Sequence, residues 1–277
     1  MKIKRICLLY FSPAGTTAKA VKAAGKALSG QLGLPLEEND FTPAAARQKD
    51  FSFDSSCLVI VGSPTYAGKL PNKILPDFKT RLTGGGAPAI AIVTYGNRSY
   101  DNALAELCAV LEGDGFRPAA GAALSCRHAF SDQIGTGRPD EQDLAQIRAF
   151  ALQSGRILSQ SEDPGTLPAL TVPGDADAPY YVPKMEDGQP ARFLKAKPKV
   201  DFSLCTRCGR CAALCPMASI DPEDPSKIDG ICIKCQACIR GCPQHALYFD
   251  DPAFLSHVRM LTQNFTQRRE NAFFFCC

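Results

Sequence analysis

Two blocks hold the densest set of reactive side chains in this sequence: CTRCGRCAALCP at 205–216 and CIKCQACIRGCP at 232–243. Each reads C-x2-C-x2-C-x3-C-P. Three cysteines at successive two-residue spacings wrap a compact turn around one corner-sharing core, whereas zinc ribbons set two C-x2-C knuckles apart by a longer loop. The chemistry this spacing suits is one-electron transfer at two 4Fe-4S clusters. In two-cluster proteins with this run the fourth cysteine of each block ligates the other cluster. One cluster is thus expected on Cys205, Cys208, Cys211 and Cys242, and the other on Cys232, Cys235, Cys238 and Cys215. Pro216 and Pro243 direct the chain away after the crossing cysteines. Gly209, Ala212, Ala237 and Gly241 are small where backbone must approach a bulky core. His245 follows the last ligand with every coordination place already filled, so it reads as a surface or packing residue.

Three further segments could bind a ligand. FSPAGTTAKA (11–20) is a turn of small and hydroxyl residues leading into a helix. Its amides, with the hydroxyls of Ser12, Thr16 and Thr17, make a nest for a phosphate, which the helix dipole favours. Neither GxxxxGK[ST] nor GxGxxG is present, which points away from a nucleoside triphosphate or a dinucleotide and toward a monophosphate. SPTYAGKLPN (63–72) and TYGNRSYDN (94–102) each set an aromatic residue, Tyr66 or Tyr95, beside a glycine able to take positive φ, as suits a loop lying against a flat ring.

These segments need elements to hold them. IKRICLLY (3–10), CLVIVG (57–62) and APAIAIVT (87–94) are short, continuously apolar strands, as in a parallel sheet covered on both faces. Residues 34–40 and RPAAGAAL (117–124) complete five strands. Helix patterns lie between them: Thr16 to Leu32, with Val21, Ala24 and Leu28 on one face; Tyr100 to Leu111; and a closing helix starting near Pro139 or Asp140. The alternation predicts a doubly wound α/β domain, whose ligands lie at the carboxyl ends of the strands. All three ligand-type loops fall there.

The cysteine blocks and their flanking residues closely resemble bacterial two-cluster ferredoxins, over about 200–250. The first 160 or so residues resemble a flavodoxin, which implies strand order 2-1-3-4-5 and FMN at that edge. SPAGTT, SPTYAGKLPN and TYGNRSYDN are together similar to a fused flavodoxin–ferredoxin family of anaerobes. The resemblance implies FMN contacts from Ser12, Pro13, Ala14, Gly15, Thr16 and Thr17, from Ser63, Pro64, Thr65, Tyr66, Ala67 and Gly68, and from Thr94, Tyr95, Gly96, Asn97, Tyr100 and Asp101. Ala14 stands where many flavodoxins have a second hydroxyl, so phosphate binding leans on amides. The acidic residues common in flavodoxin ring loops are missing, and Lys69 and Arg98 are nearby instead. Their charge would favour an anionic reduced flavin and make its couple less negative. His128, in SCRHAFSDQIGTGRPD (125–140), is either a solvated loop residue or a wall of the flavin pocket that handles a proton.

The implied organisation is a flavodoxin-like FMN-binding domain at 1–160, a Pro-rich linker at 161–200, a small α+β two-cluster ferredoxin domain at 201–250, and a C-terminal helix and tail at 251–277. The linker carries seven prolines and reads either as a strap set over a surface or as a disordered tether. Phe254, Val258, Leu261 and Phe265 recur at helix spacing, so 252–268 is expected to be an amphipathic helix packed on one of the domains. The three phenylalanines of NAFFFCC must pack internally or meet a partner.

Of 14 cysteines, eight crowd into 205–242, unlike the spread of a disulfide framework, so a reducing, cytoplasmic setting is expected. The N-terminus shows no cleavage-site pattern, and no apolar run reaches the roughly 18 residues of a membrane span. With 31 basic and 28 acidic residues the charge is near balance, which does not point to nucleic acid. Two oxidised clusters on eight thiolates would make the loaded protein acidic. A flavin takes electrons singly or in pairs and each cluster takes one, so the combination reads as a converter between one- and two-electron carriers serving a redox partner protein. The alternative is a reductase of a small organic acceptor, quinone-like or nitro. No nicotinamide-binding domain is visible.

Overall fold

The computed structural model describes residues 3–161 and 167–276. Five parallel strands, β1 (Arg5–Tyr10), β2 (Leu36–Asp40), β3 (Cys57–Pro64), β4 (Pro88–Tyr95) and β5 (Arg117–Ser125), lie in the order 2-1-3-4-5. Every residue of β4 is buried, as continuous apolarity requires of a strand covered on both faces. β2 (LEEND) lies at the edge and is partly exposed, which accommodates its charges. Tyr10 stands opposite Gly62, Pro64 opposite Thr94, and Tyr95 opposite Ser125. This register brings the carboxyl ends of β1, β3, β4 and β5 level, so the loops that follow them open along one edge.

Helices α1 (Thr16–Leu32), α2 (Leu75–Arg81), α3 (Ala103–Gly113) and α4 (Glu141–Gln160) cover the sheet. Val21, Ala24 and Leu28 of α1 and Ile147 and Leu158 of α4 pack over Ile6, Leu8, Ile60 and Ile92. On the other face Phe78 of α2 and Leu104, Leu107 and Leu111 of α3 cover Cys7, Leu9, Val59 and Val93. α3 starts at Ala103 because Tyr100 to Asn102 form a turn, closed by Ala103 N–H to Tyr100 O at 2.9 Å. α4 starts after Asp140 in a reciprocal capping box with Asp143.

The tail supplies a sixth strand, β6 (Ala272–Phe275), antiparallel to β5. Phe273 and Phe275 lie against Phe150 of α4, with centroids 5.2 and 5.4 Å away, while Phe274 joins the opposite layer. The phenylalanines therefore pack internally. Cys277 and Pro164 fall outside the described residues.

In the cysteine-rich unit, Lys199–Val200 pairs antiparallel with Leu247–Tyr248, and two one-turn helices, α5 (Arg210–Leu214) and α6 (Ala237–Gly241), follow the second cysteine of each block. The halves repeat down to backbone conformation: Arg207 and Lys234, Gly209 and Gln236, and Ala218 and His245 all have positive φ. His245 is exposed. The apolar core is small, built on Ile220, Ile228 and Leu247 with the cysteines themselves. Helix α7 (Pro252–Asn264) is capped by Asp251 and buries Phe254, His257 and Leu261. It ends at Asn264, short of the expected 268, and from there the chain runs extended toward β6.

Candidate redox site

Two cavities are lined by cysteine, and each draws on both blocks. Cys205, Cys208 and Cys211 share one with Cys242; Cys232, Cys235 and Cys238 share the other with Cys215. The exchange follows from the 3-residue gap before the last cysteine of each block, which α5 or α6 spans as a helical turn, carrying that cysteine toward the partner half. Among the described residues no three His, Cys, Asp or Glu side chains close around a single ion. Amides point at the sulfurs: Arg207 N–H to Cys205, Ser219 N–H to Cys215 and Ala246 N–H to Cys242, each at 3.4 Å. A ring of sulfurs served by backbone donors fits an inorganic cluster.

The two cavities differ in depth. Cys208 is exposed, and the Arg210 amide holds its thiol below the usual range. Cys235 and Cys238 are buried; burial pushes Cys235 up to about 12 and raises Cys238 as well. We refer to these as the outer and inner cavities.

The inner cavity lies against the carboxyl edge of the sheet. Met217 and Ile233, which line it, also pack on the core beneath α2 and α3. Arg47, 4% exposed, donates to Phe41 O at 3.2 Å, to Thr42 O at 2.6 Å and to Pro216 O, and pairs with Asp77 at 2.7 Å. From the other side Arg240 of α6 donates to Ala129 O at 2.8 Å and His128 O at 2.9 Å and pairs with Asp132. Tyr66, on the loop after β3, has its phenol raised well above the ordinary range, first by burial and then by neighbouring Cys235 and Cys232.

The loops expected to hold a flavin meet at this edge. Gly15 takes φ 84° at the start of α1 and offers no side-chain cap, while Ser12 Oγ accepts from Ala18 N–H at 2.9 Å and ties the loop to the first turn. Thr17 Oγ1 and Thr94 Oγ1 are 2.7 Å apart and buried, joining that loop to β4. Tyr66 and Lys69 close a tight turn with Ala67 and Gly68 at positive φ. A Cβ on Gly68 would lie 2.4 Å from Asp101 Oδ2, and one on Gly96 would lie 2.2 Å from the His128 ring and 3.0 Å from its Cα. Thr65 Oγ1 is buried without a partner among the described residues, on the loop between Ser63–Pro64 and Tyr66. An orphaned hydroxyl at Thr65 and a helix N-terminus without a side-chain cap at Gly15 fit a polar phosphate ester, whereas Gly68 and Gly96 are required by packing on Asp101 and His128.

Several expected contacts are committed elsewhere. Asn97 is fully buried; its amide donates to Phe265 O and Gln267 O at 2.6 and 2.7 Å, and its oxygen accepts from Ser125 and Arg269. Tyr95 is buried with its hydroxyl on Glu270 O. Tyr100 lies 5.6 Å from the Tyr95 ring, and burial raises its phenol. His128 is not a solvated loop residue: Nδ1 accepts from Phe130 N–H, the ring packs on Gly96 and Phe130, and burial pushes its pKa down to about 3. It is neutral near pH 7.

The expected charges beside the ring need correction. Lys69, 7% exposed, pairs with buried Glu106 at 3.1 Å and donates to Ala176 O and Ala178 O. Arg98 pairs with Asp101 and lies over the Tyr181 ring at 3.9 Å. Both cations are neutralised or turned to the linker, so neither offers free positive charge to a ring. The linker is a strap over its described length. Asp175 N–H reaches Asn102, Tyr180 Oη donates to Leu70 O, and Tyr181 N–H donates to Ala67 O. Sequence reasoning missed Arg47, Arg240 and the strap anchors, whose partners lie far away in the chain. Glu106 carried a readable signal, a carboxylate on the apolar face of α3.

A family model described as a 4Fe-4S dicluster domain matches residues 197–243. No curated protein matches the chain. Among solved structures, the fold is similar to a flavodoxin from the domain Archaea (12% identity, 56% of this chain and 99% of that one, TM-score 0.37) and to Flavodoxin 2 from Bacillus cereus (17%, 55% and 99%, 0.38). It is also similar to a short-chain flavodoxin associated with a bacterial microcompartment (14%, 57% and 99%, 0.38). The strand order and the cysteine blocks define the class: a flavodoxin-like α/β fold followed by a small ferredoxin-type iron–sulfur domain. No helix among the described residues is long and apolar enough to cross a membrane.

Proposed function

We propose that this chain is an electron-transfer protein that holds two 4Fe-4S clusters and FMN and joins one-electron to two-electron carriers. The observation that carries the reading is the pair of cavities, each lined by three cysteines of one block and the fourth of the other, with Cys208 exposed in one and Cys235 and Cys238 buried in the other. On this reading Cys205, Cys208, Cys211 and Cys242 hold the outer cluster, and Cys215, Cys232, Cys235 and Cys238 the inner one. The α1 amides with Ser12 and Thr16 hold the phosphate, the Thr17 hydroxyl being committed to Thr94, and the 63–68 and 94–101 loops flank the ring. When bound, these groups supply the electron-carrying chemistry, and the residues around them set distance, orientation and solvent exclusion.

Exposed Cys208 marks the end open to a redox partner protein, and the same small domain exposes Phe202, Leu204 and Leu214. Arg47 and Arg240 hold the inner cavity against the sheet, and the strap closes over the 66–70 and 98–102 loops. The proposed units are 1–160 and 201–250, with 161–200 as strap and 251–277 returning to the first unit. The decisive experiment is anaerobic reconstitution with iron, sulfide and flavin counted, followed by optical and EPR titration. Eight irons and one FMN per chain are expected, and fewer than about seven irons would sink the two-cluster reading. Stopped-flow mixing of the reduced protein with quinones and nitro compounds tests the reductase alternative, which requires rapid, saturable reoxidation.

A further inference from the structure

The repeat within the small domain places a cation at the same point of each half: Arg207 two residues after Cys205, and Lys234 two residues after Cys232, with φ of 55° and 57°. Their surroundings differ. Arg207 is exposed beside Phe202, where water and salt screen it. Lys234 is half-buried and lines the inner cavity with its four cysteines. Its ammonium folds back to donate to Cys232 O at 3.0 Å and to Leu194 O. Both acceptors are carbonyls, which orient the ammonium; the charged groups that act on it besides Cys232 are Asp251 and a second cation, Lys197. Leu194 belongs to the linker, so the strap itself helps set this cation against the cavity wall.

Reduction adds one negative charge to whatever the cavity holds. A fixed positive charge at its wall stabilises that form, and the interaction grows as the effective dielectric constant falls from about 80 in water toward about 20 at a partly buried site. We propose that Lys234 is a built-in counter-charge that raises the reduction potential of the inner cluster, a role that exposed Arg207 does not fill for the outer one. The proposal rests on the two-cluster reading and extends it to a positioning residue.

The test is an EPR-monitored potentiometric titration of the full chain, with the outer midpoint identified as the one altered by Cys208→Ser. Lys234→Gln is expected to move the inner midpoint to a more negative value, Lys234→Arg to restore most of it, and Arg207→Gln to leave the outer midpoint in place. An unchanged inner midpoint in Lys234→Gln, or an equal displacement in Arg207→Gln, overturns the proposal. If Lys234→Gln loses iron, the unaltered protein decides. Raising salt from about 0.05 to about 1 M should displace the outer midpoint more than the inner, and the reverse order overturns the proposal. Iron counted on the unaltered protein comes first: a count below about seven sinks the two-cluster reading itself, whereas a full count with unmoved midpoints sinks only the role of Lys234.

Discussion

Asp114 closes α3 with one carboxylate oxygen buried and unpartnered among the described residues, and burial pushes its pKa up to about 6. The folded protein keeps this proton to about pH 6, while the unfolded chain releases it near pH 4. Between those values the native state binds more protons, so its stability falls as pH rises, and at pH 7 the full cost of a desolvated carboxylate is present. Asp114→Asn should therefore stabilise the protein by about 1–2 kcal/mol at pH 7.5, with the gain shrinking by pH 5. Urea denaturation at the two pH values checks this, and an equal gain at both would contradict it. His128 acts in the opposite sense. Its pKa is depressed to about 3, so the unfolded state takes up the proton first as pH falls below 6.5, and this group contributes stability that is lost toward acid.

At the scale of elements, two polar clusters hold what composition alone would leave loose. Lys69 and Glu106, each 8% exposed at the side chain, anchor the strap. Lys69→Met leaves Glu106 buried without its cation and should cost about 3–5 kcal/mol; adding Glu106→Gln should recover part of that loss, as expected of a coupled pair. Urea titration of the single and double variants checks the coupling, and the neutralised Lys69 charge implies a flavin midpoint close to that of the parent. The tail is held by Asp143, 1% exposed, which accepts from Arg138, Arg268 and Asn271. Asp143→Ala leaves the Arg138 guanidinium buried and unneutralised, at about 3–5 kcal/mol, and frees the approach to β6. Trypsin should then cut after Arg268 or Arg269 at doses the parent resists; an equally resistant variant would refute this account of the tail.

For the molecule as a whole, the issue is how the two folds are held in one arrangement. Arg47 makes its contacts within the first unit and then reaches Pro216, next to Cys215. Arg47→Ala removes the cation from buried carbonyls and from Asp77, at about 3–5 kcal/mol. The expected result is a single unfolding transition splitting into two, with faster amide exchange over 215–220 and 233–240. One unchanged cooperative transition would show that the units are held by other contacts. The Ala272–Phe275 strand is a second tie, since the chain leaves the first unit at α4 and returns to it after the second is complete.

Much of this was readable along the chain. Hydrophobic runs marked the central strands because burial on both faces leaves no polar positions, and the cysteine spacing marked which thiols share a cavity because a one-turn helix carries the fourth cysteine of each block to the other half. α2 was not read from LPDFKTR, which buries only Phe78 and so has too few apolar positions to show a period. β6 hid in three consecutive phenylalanines, since a run of one residue type carries no alternation. Lys69 looked like a free charge because its neutralising partners, Glu106 and the strap carbonyls, come from elsewhere in the fold, whereas Arg98 is paired by Asp101 within its own loop and turned onto Tyr181 of the strap. The sequence by itself determined the elements, the grouping of the cysteines and the loops at the sheet edge, all set by local spacing and burial pattern. Only the tertiary structure decided which cavity is buried, which cations are neutralised, and that linker and tail close on the first unit, because each depends on groups brought together from distant parts of the chain.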